Sequence, residues 1–137
     1  MSRIDDRIFR IIDANFNRAK EGLRVCEDTA RFVLNDRMKT ERYKTIRHRL
    51  SAVVGALPVK HLIQSRDIES DVGKKTSLPE LKRAKVADIF YANSQRSKES
   101  LRVLEEFSKL LDSRTAVELK KIRYQIYALE KKIILKF

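Results

Sequence analysis

The strongest constraint on this chain is a fifteen-residue stretch that occurs twice. Residues 14–28 read ANFNRAKEGLRVCED, and residues 92–106, 78 positions on, read ANSQRSKESLRVLEE. Nine of the fifteen positions are identical: Ala14/Ala92, Asn15/Asn93, Arg18/Arg96, Lys20/Lys98, Glu21/Glu99, Leu23/Leu101, Arg24/Arg102, Val25/Val103 and Glu27/Glu105. Most of these are polar or charged. A helix needs only an apolar stripe to pack, so the repetition points to a task beyond packing.

At about 100° per residue, Ile8, Ile12, Phe16, Ala19, Leu23, Cys26, Ala30 and Val33 form one apolar stripe of an amphipathic helix. Asn15 falls inside the stripe. Arg18, Glu21, Arg24 and Glu27 leave it in steps of three, as Arg96, Glu99, Arg102 and Glu105 do after Asn93. A ladder of i,i+3 pairs accounts for the charges alone, at about 0.2–0.5 kcal/mol each. An amide set in an apolar stripe requires a partner, which such a ladder does not supply.

Asp5 or Asp6 starts this helix, and the spacing from Ile4 and Ile8 runs on to Val33 and Leu34 before stopping near Asn35. A second helix is expected from Lys39 to Ala56, with Tyr43, Ile46, Leu50, Val53, Val54 and Leu57 inward and Gly55 and Pro58 as its end signal. Periodicity is lost from Pro58 to about Arg83, a central loop in which Arg66, Asp67 and Asp71 gather beside Gly73. Loops of this length inside a compact domain are uncommon and tend to be functional. The third helix runs from Val86 to Leu111, and Asp112 or Ser113 caps a fourth with Leu119, Ile122, Ile126, Leu129 and Ile133 as a seam. The fourth echoes the second at an offset of 76, as in Ile46/Ile122, Arg47/Arg123 and Leu50/Ile126. The chain therefore reads as a single all-α domain over 1–137. It is a bundle of four long helices built from a duplicated hairpin, with halves 1–57 and 84–137 joined by the loop 58–83.

Thirty-one basic and nineteen acidic residues leave a net charge of +12, so an anionic partner is expected. The surplus is uneven, since residues 1–36 sum to zero while residues 37–66 carry +7. Cys26 is the only cysteine, which excludes a disulfide within the chain; its place on the apolar stripe makes it a core residue. Arg3, Asp5, Asp6, Arg7 and Arg10 leave no apolar run at the N-terminus, so neither a signal peptide nor a membrane span is expected, and the location is read as cytoplasmic.

Only Gly22, Gly55 and Gly73 are present, and none belongs to a phosphate-cradling loop of the GxxxxGK[ST] or GxGxxG kind. Any phosphate must be gripped by side chains, for which the planar fork of arginine is suited. Arg18, Arg24, Arg96 and Arg102 are best placed, with Arg47, Arg66 and Arg123 behind them. Carboxylates such as Glu21, Glu99, Asp67 and Asp71 either orient those arginines or hold Mg²⁺ through water. His48 and His61 are too few for a histidine metal site, and no Ser/His/Asp or Cys/His arrangement stands out.

The blocks DANFNRAKEGLRVCEDTARF, RDIESDVG and YANSQRSKESLRVLEEFSK together resemble the small monofunctional hydroxymethylpyrimidine phosphate kinase of thiamine biosynthesis. That domain is often found ahead of a thiamine-phosphate synthase barrel in one polypeptide. Such a barrel takes about 250 residues of alternating strand and helix, which this chain does not hold. The resemblance implies ATP-dependent phosphorylation of hydroxymethylpyrimidine phosphate to the diphosphate, with Mg²⁺. The attacking phosphate oxygen is largely ionised at neutral pH, its second pKa being about 6, so no general base is needed. From the repetition, Asn15, Glu21 and Arg24 on one side and Asn93, Glu99 and Arg102 on the other are expected to bind substrate in one pocket. Arg18, Arg96, Arg66, Asp67 and Asp71 are expected to act on it, with Asp67 and Asp71 meeting the metal.

The implied partners are a small phosphorylated pyrimidine and a thiamine-phosphate synthase acting in trans, with a homodimer allowed and no membrane. Two rival readings stay open. One is a non-catalytic dimerisation or regulatory domain using the fourth helix's apolar seam. The other is a basic nucleic-acid-binding bundle, disfavoured because tryptophan is absent and arginines do not interleave with aromatics.

Overall fold

Aspartates open three of the long helices, each accepting a hydrogen bond from a backbone amide that the helix itself leaves unpaired. In a computed structural model that describes residues 5–137, Asp5 takes the Arg7 amide at 2.8 Å at the start of α1 (Asp6–Asp28). Asp36 takes the Lys39 amide at 3.0 Å before α2 (Arg37–Gly55). A short α3 (Val59–Gln64) follows, then α4 (Val86–Ser108), whose first turn is closed by Asp88 accepting from the Lys85 amide at 3.0 Å. Asp112 takes the Arg114 amide at 2.9 Å before α5 (Ser113–Ile134). The expected apolar position Ile4 lies outside the described residues.

The all-α bundle and its four long helices agree with the sequence reading, and no strand occurs among the described residues. The central loop differs from expectation in carrying α3 and a 3₁₀ turn, Leu78–Leu81. α3 was hidden because it is a single helical segment with one buried side chain, Leu62, too short to show a period. α4 stops at Ser108, three residues before the expected Leu111.

The change of repeat offset from 78 to 76 also has a physical cause. After α1 the helix widens into a π turn, Thr29–Val33, with the Leu34 amide bonded to the Thr29 carbonyl at 3.0 Å. Asn35 then takes a left-handed φ of 50°, a conformation asparagine tolerates better than most residues. These features absorb two residues that the α4–α5 connection lacks.

α1 and α4 form the central pair, with α2 against α1, α5 against α4, and α2 and α5 closing the bundle. The central pair is antiparallel: Ser97 Oγ donates to the Ala19 carbonyl at 3.1 Å, while Cys26 Sγ lies 3.9 Å from the Phe90 carbonyl. Ala19 and Ser97 are equivalent positions of the repeat, so the two copies cross at the same residue and run away from it in opposite directions. Gly22 permits the approach, because a Cβ there would stand 2.7 Å from the Asn93 carbonyl oxygen and closer still to Ser97 Oγ. Ile12, Leu23, Cys26, Leu50, Tyr43, Leu101 and Leu104 fill the core. Leu119, Ile122, Ile126, Leu129 and Ile133 are buried with them, so the α5 seam is an internal surface and not a docking face. Burial pushes the Cys26 thiol up to about 12, as fits a core residue and not a nucleophile.

Candidate functional site

The repeated motif divides into residues that brace the bundle and residues that open onto a cavity. Glu27 accepts from Arg47 Nε at 3.1 Å, and its repeat equivalent Glu105 accepts from Arg123 Nε at 2.5 Å. Both pairs are largely buried and each ties a motif helix to the other helix of its hairpin. Arg24 and Arg102 add second contacts to the same carboxylates at 3.4 and 3.8 Å. For these positions the salt-ladder explanation holds. The charges are repeated because each hairpin needs the same brace.

The cavity lies at the other end of α1, where the face bearing Arg7, Arg10, Ala14, Asn15 and Arg18 meets the segment from Arg66 to Asp71. It encloses about 450 Å³, within the usual range of about 300–1,000 Å³ for small-molecule clefts. Asp13, 6% exposed, anchors it by accepting two hydrogen bonds from Arg66, at 2.6 Å from Nε and 2.9 Å from Nη2. This fork-to-fork pairing fixes the plane of the guanidinium and raises its already high pKa. Arg10 Nη2 donates to the Asp67 carbonyl at 3.1 Å, a second tie between α1 and the loop.

Asn15, the amide in the apolar stripe, finds its partner in the helix itself: Nδ2 donates to the Ile11 carbonyl at 2.8 Å. Its Oδ1 receives only a long contact of 3.4 Å from Arg18 Nη1. Arg18 forms no ion pair among the described residues and is exposed, a guanidinium held ready at the cavity mouth. Asp67 Oδ1 accepts from the Ser70 amide at 3.1 Å, and Asp71 Oδ1 from the Gly73 amide at 2.9 Å. Each leaves Oδ2 without a hydrogen-bond partner among the described residues. Gly73 has no positive φ, so the turn is made by the aspartate and not by glycine's freedom.

Of the residues singled out in the sequence, Asn15, Arg18, Arg66, Asp67 and Asp71 are brought together here. Glu21, Arg24, Asn93, Arg96, Glu99 and Arg102 are not part of this cavity. The antiparallel crossing at Ala19 and Ser97 is the reason. Asn15 and Asn93 lie four residues to opposite sides of it, about 12 Å apart along the helices at 1.5 Å per residue. Asn93 donates to the Ile89 carbonyl at 2.8 Å, Glu99 accepts from Gln95 at 3.1 Å, and Arg96 and Glu21 are exposed. Asp13 and Arg10 were missed because neither is repeated; Asp88 and Tyr91 stand at their positions in the second copy. The available signal was Asp13 beside Ile12 and Phe16 on the edge of the stripe, where a carboxylate requires a cation. His61, at the start of the loop, stacks on Phe9 with centroids 4.2 Å apart and meets Asp6 at 2.9 Å.

Among the described residues no three histidine, cysteine, aspartate or glutamate side chains gather into a metal cage. The free oxygens of Asp67 and Asp71 suit Mg²⁺ in its other habit, one or two carboxylates with the remaining ligands from water and phosphate. No described helix is long and apolar enough to cross a membrane.

Comparison with known proteins assigns the chain to a family. The chain is 44% identical over 130 residues to the thiamine-phosphate synthase of Rhodopirellula baltica, covering 94% of this chain and 35% of that protein. It is 37% identical over 133 residues to that of Nostoc punctiforme, covering 96% of this chain and 37% of the relative. For Synechocystis the figures are 42% over 124 residues, 90% and 35%. The chain thus spans about a third of the length of these relatives. No solved structure matches it. Residues 10–132, which hold both motif copies, the loop and all of the cavity's lining except Arg7, match the ThiD2 family, and the chain belongs to that family.

Proposed function

We propose that the chain is an ATP-dependent kinase that converts hydroxymethylpyrimidine phosphate to its diphosphate. The observation that carries this reading is the cavity at α1, where Arg18 forms no ion pair and Asp67 and Asp71 each keep one oxygen without a hydrogen bond among the described residues, and Arg66 is locked in plane by Asp13. An oxygen of the substrate phosphate attacks the γ-phosphorus of ATP, the bond to the β–γ bridging oxygen breaks, and ADP leaves carrying that electron pair. Both partners are anions, so the protein's work is to hold them in line and offset their repulsion. Arg18 and Arg66 contribute donors and positive charge at the transferring group. Asp13 keeps Arg66 oriented. Asp67 or Asp71 would hold Mg²⁺, which when bound with the phosphates offsets the charge that develops on them. The absence of a candidate general base is no obstacle, because the nucleophile is already ionised at neutral pH.

The test is incubation of the purified chain with MgATP and either the pyrimidine monophosphate or the unphosphorylated alcohol. Diphosphate and ADP from the monophosphate support the kinase; no product from either discards it. One observation favours a second reading, that the domain serves a thiamine-phosphate synthase without catalysing a step. The chain covers only 35–37% of relatives that carry that name, so their named activity can reside in the remainder. A chain that forms no diphosphate yet raises the rate of a separately supplied synthase would decide for it.

A further inference from the structure

Lys20 and Lys98 are identical in the repeat, yet their surroundings differ in a way that points to a ligand. Lys98 is buried: its Nζ lies 2.7 Å from Glu130 Oε2 and 4.7 Å from the Tyr127 ring centroid. Ser94 Oγ donates to the same Glu130 oxygen at 2.9 Å, so Lys98, Glu130 and Ser94 form a buried polar cluster with the half-exposed Tyr127 ring over the ammonium. Each of Lys98's three neighbours there is changed in the first half. By the offsets of 78 and 76, Phe16 stands for Ser94, Val54 for Glu130 and Ser51 for Tyr127. The counterion is gone and the large phenol ring has become a hydroxymethyl group.

What remains around Lys20 is a cleft of about 190 Å³ between α1, α2 and α3, walled by Phe16, Val54 and Leu62, with Ser51 at its edge. Lys20 forms no ion pair among the described residues; its Nζ lies 5.4 Å from the Phe16 centroid. At about 30 Å³ per water the cleft holds about six waters' bulk. That suits one substituted six-membered ring and is too little for a nucleotide. Apolar walls with an aromatic face favour a flat ring, and an unneutralised ammonium favours one bearing a lone-pair acceptor. The Asp13–Arg66 pair lines both this cleft and the arginine-bearing cavity. A ring in the cleft and a phosphate in the cavity can therefore belong to one molecule.

We infer that this cleft is the ring-binding subsite for a phosphorylated nitrogen heterocycle, with Lys20 donating to a ring acceptor and Phe16 covering the ring. The inference rests on the reading of the neighbouring cavity as the phosphate site, and within the proposed function the heterocycle is the substrate's pyrimidine.

The test measures binding without nucleotide, by calorimetry, of the pyrimidine monophosphate and of inorganic phosphate to the wild type, Lys20→Met and Ser51→Tyr, the last restoring beside Lys20 the ring that Tyr127 sets over Lys98. Each substitution is expected to weaken the pyrimidine monophosphate about tenfold or more, the worth of one hydrogen bond to a charged group, while inorganic phosphate changes less than about twofold. Unchanged affinity for the pyrimidine monophosphate, an equal loss for inorganic phosphate, or a wild type that does not bind the pyrimidine monophosphate would each overturn the subsite. Turnover is recorded in parallel. Selective loss of binding in the variants with no ADP formed by the wild type would retain the subsite and reject the kinase.

Discussion

The two halves share a backbone plan and differ at one end. In the second half the region where α4 meets α5 is filled: Lys98 and Ser94 both bond to Glu130, the Tyr127 ring lies over the Lys98 ammonium, and Phe137 lies against Phe90 with centroids 5.8 Å apart. In the first half the matching region is open, with Asp13 at the position of Tyr91 and the Arg66–Asp71 segment as its rim. Apart from the π turn at Thr29–Val33, the halves share the Glu27–Arg47 and Glu105–Arg123 braces and the Asp36 and Asp112 caps. The lesson is a division of labour after duplication. One copy retains a paired polar core, and on the proposed function the other leaves charges uncompensated for a ligand, since the braces and the central crossing hold the bundle without them.

The largest expected effect tests whether the braces are equal. Glu105→Ala strands the Arg123 guanidinium, with both side chains under 10% exposed, and should cost about 3–5 kcal/mol in denaturant unfolding. Glu27→Ala should cost less, because Arg47 is 15% exposed and can reach water. Equal costs would mean that the first half is as closed as the second.

Next comes the asymmetry of function. Arg18→Ala should lower kcat/KM for the pyrimidine monophosphate about 100-fold or more, the usual loss for a donor at the transferring charge. Arg96→Ala, at the equivalent position outside the cavity, should change it only a few-fold. Comparable losses in steady-state assays would break the comparison and restore a site shared by both copies.

A smaller effect probes the crossing. Gly22→Ala places a Cβ 2.7 Å from the Asn93 carbonyl oxygen and should cost about 1–3 kcal/mol by thermal or denaturant melting. A neutral result would show that α1 and α4 can separate freely. The last test concerns the Asp36 cap, whose carboxyl is held down to about 2 from an ordinary 3.8 by the Lys39 amide and ammonium. A depressed folded value stabilises above the unfolded pKa and is lost as pH falls. The melting temperature of wild type should therefore exceed that of Asp36→Asn at pH 6, with the gap closing between about 4 and about 2. A gap that persisted at lower pH would assign the effect to amide geometry.

Much of the fold was legible because it rests on local rules. Apolar spacing marked the long helices, and Asp36 and Asp112 announced their successors through capping. The site was half legible. Repetition drew attention to Asn15 and Arg18 but also to Arg24, Glu27, Arg102 and Glu105, whose recurrence reflects bracing. Asp13 escaped because it is not repeated, and the role of Lys20 escaped because it is decided by Val54 and Ser51, more than thirty residues away, through packing that no window on the motif contains.

The π turn at Thr29–Val33 has a consequence for how the halves should be matched. Sliding one half over the other by a single fixed step pairs every α2 position with the wrong neighbour on α5. Glu130 would then be matched with Ala52 instead of Val54 and Tyr127 with Arg49 instead of Ser51, and the exchange of a phenol ring for a hydroxymethyl group beside Lys20 would go unnoticed. A widened helical turn thus acts as a two-residue gap mark, and only an alignment that honours it lets one half serve as the control for the other.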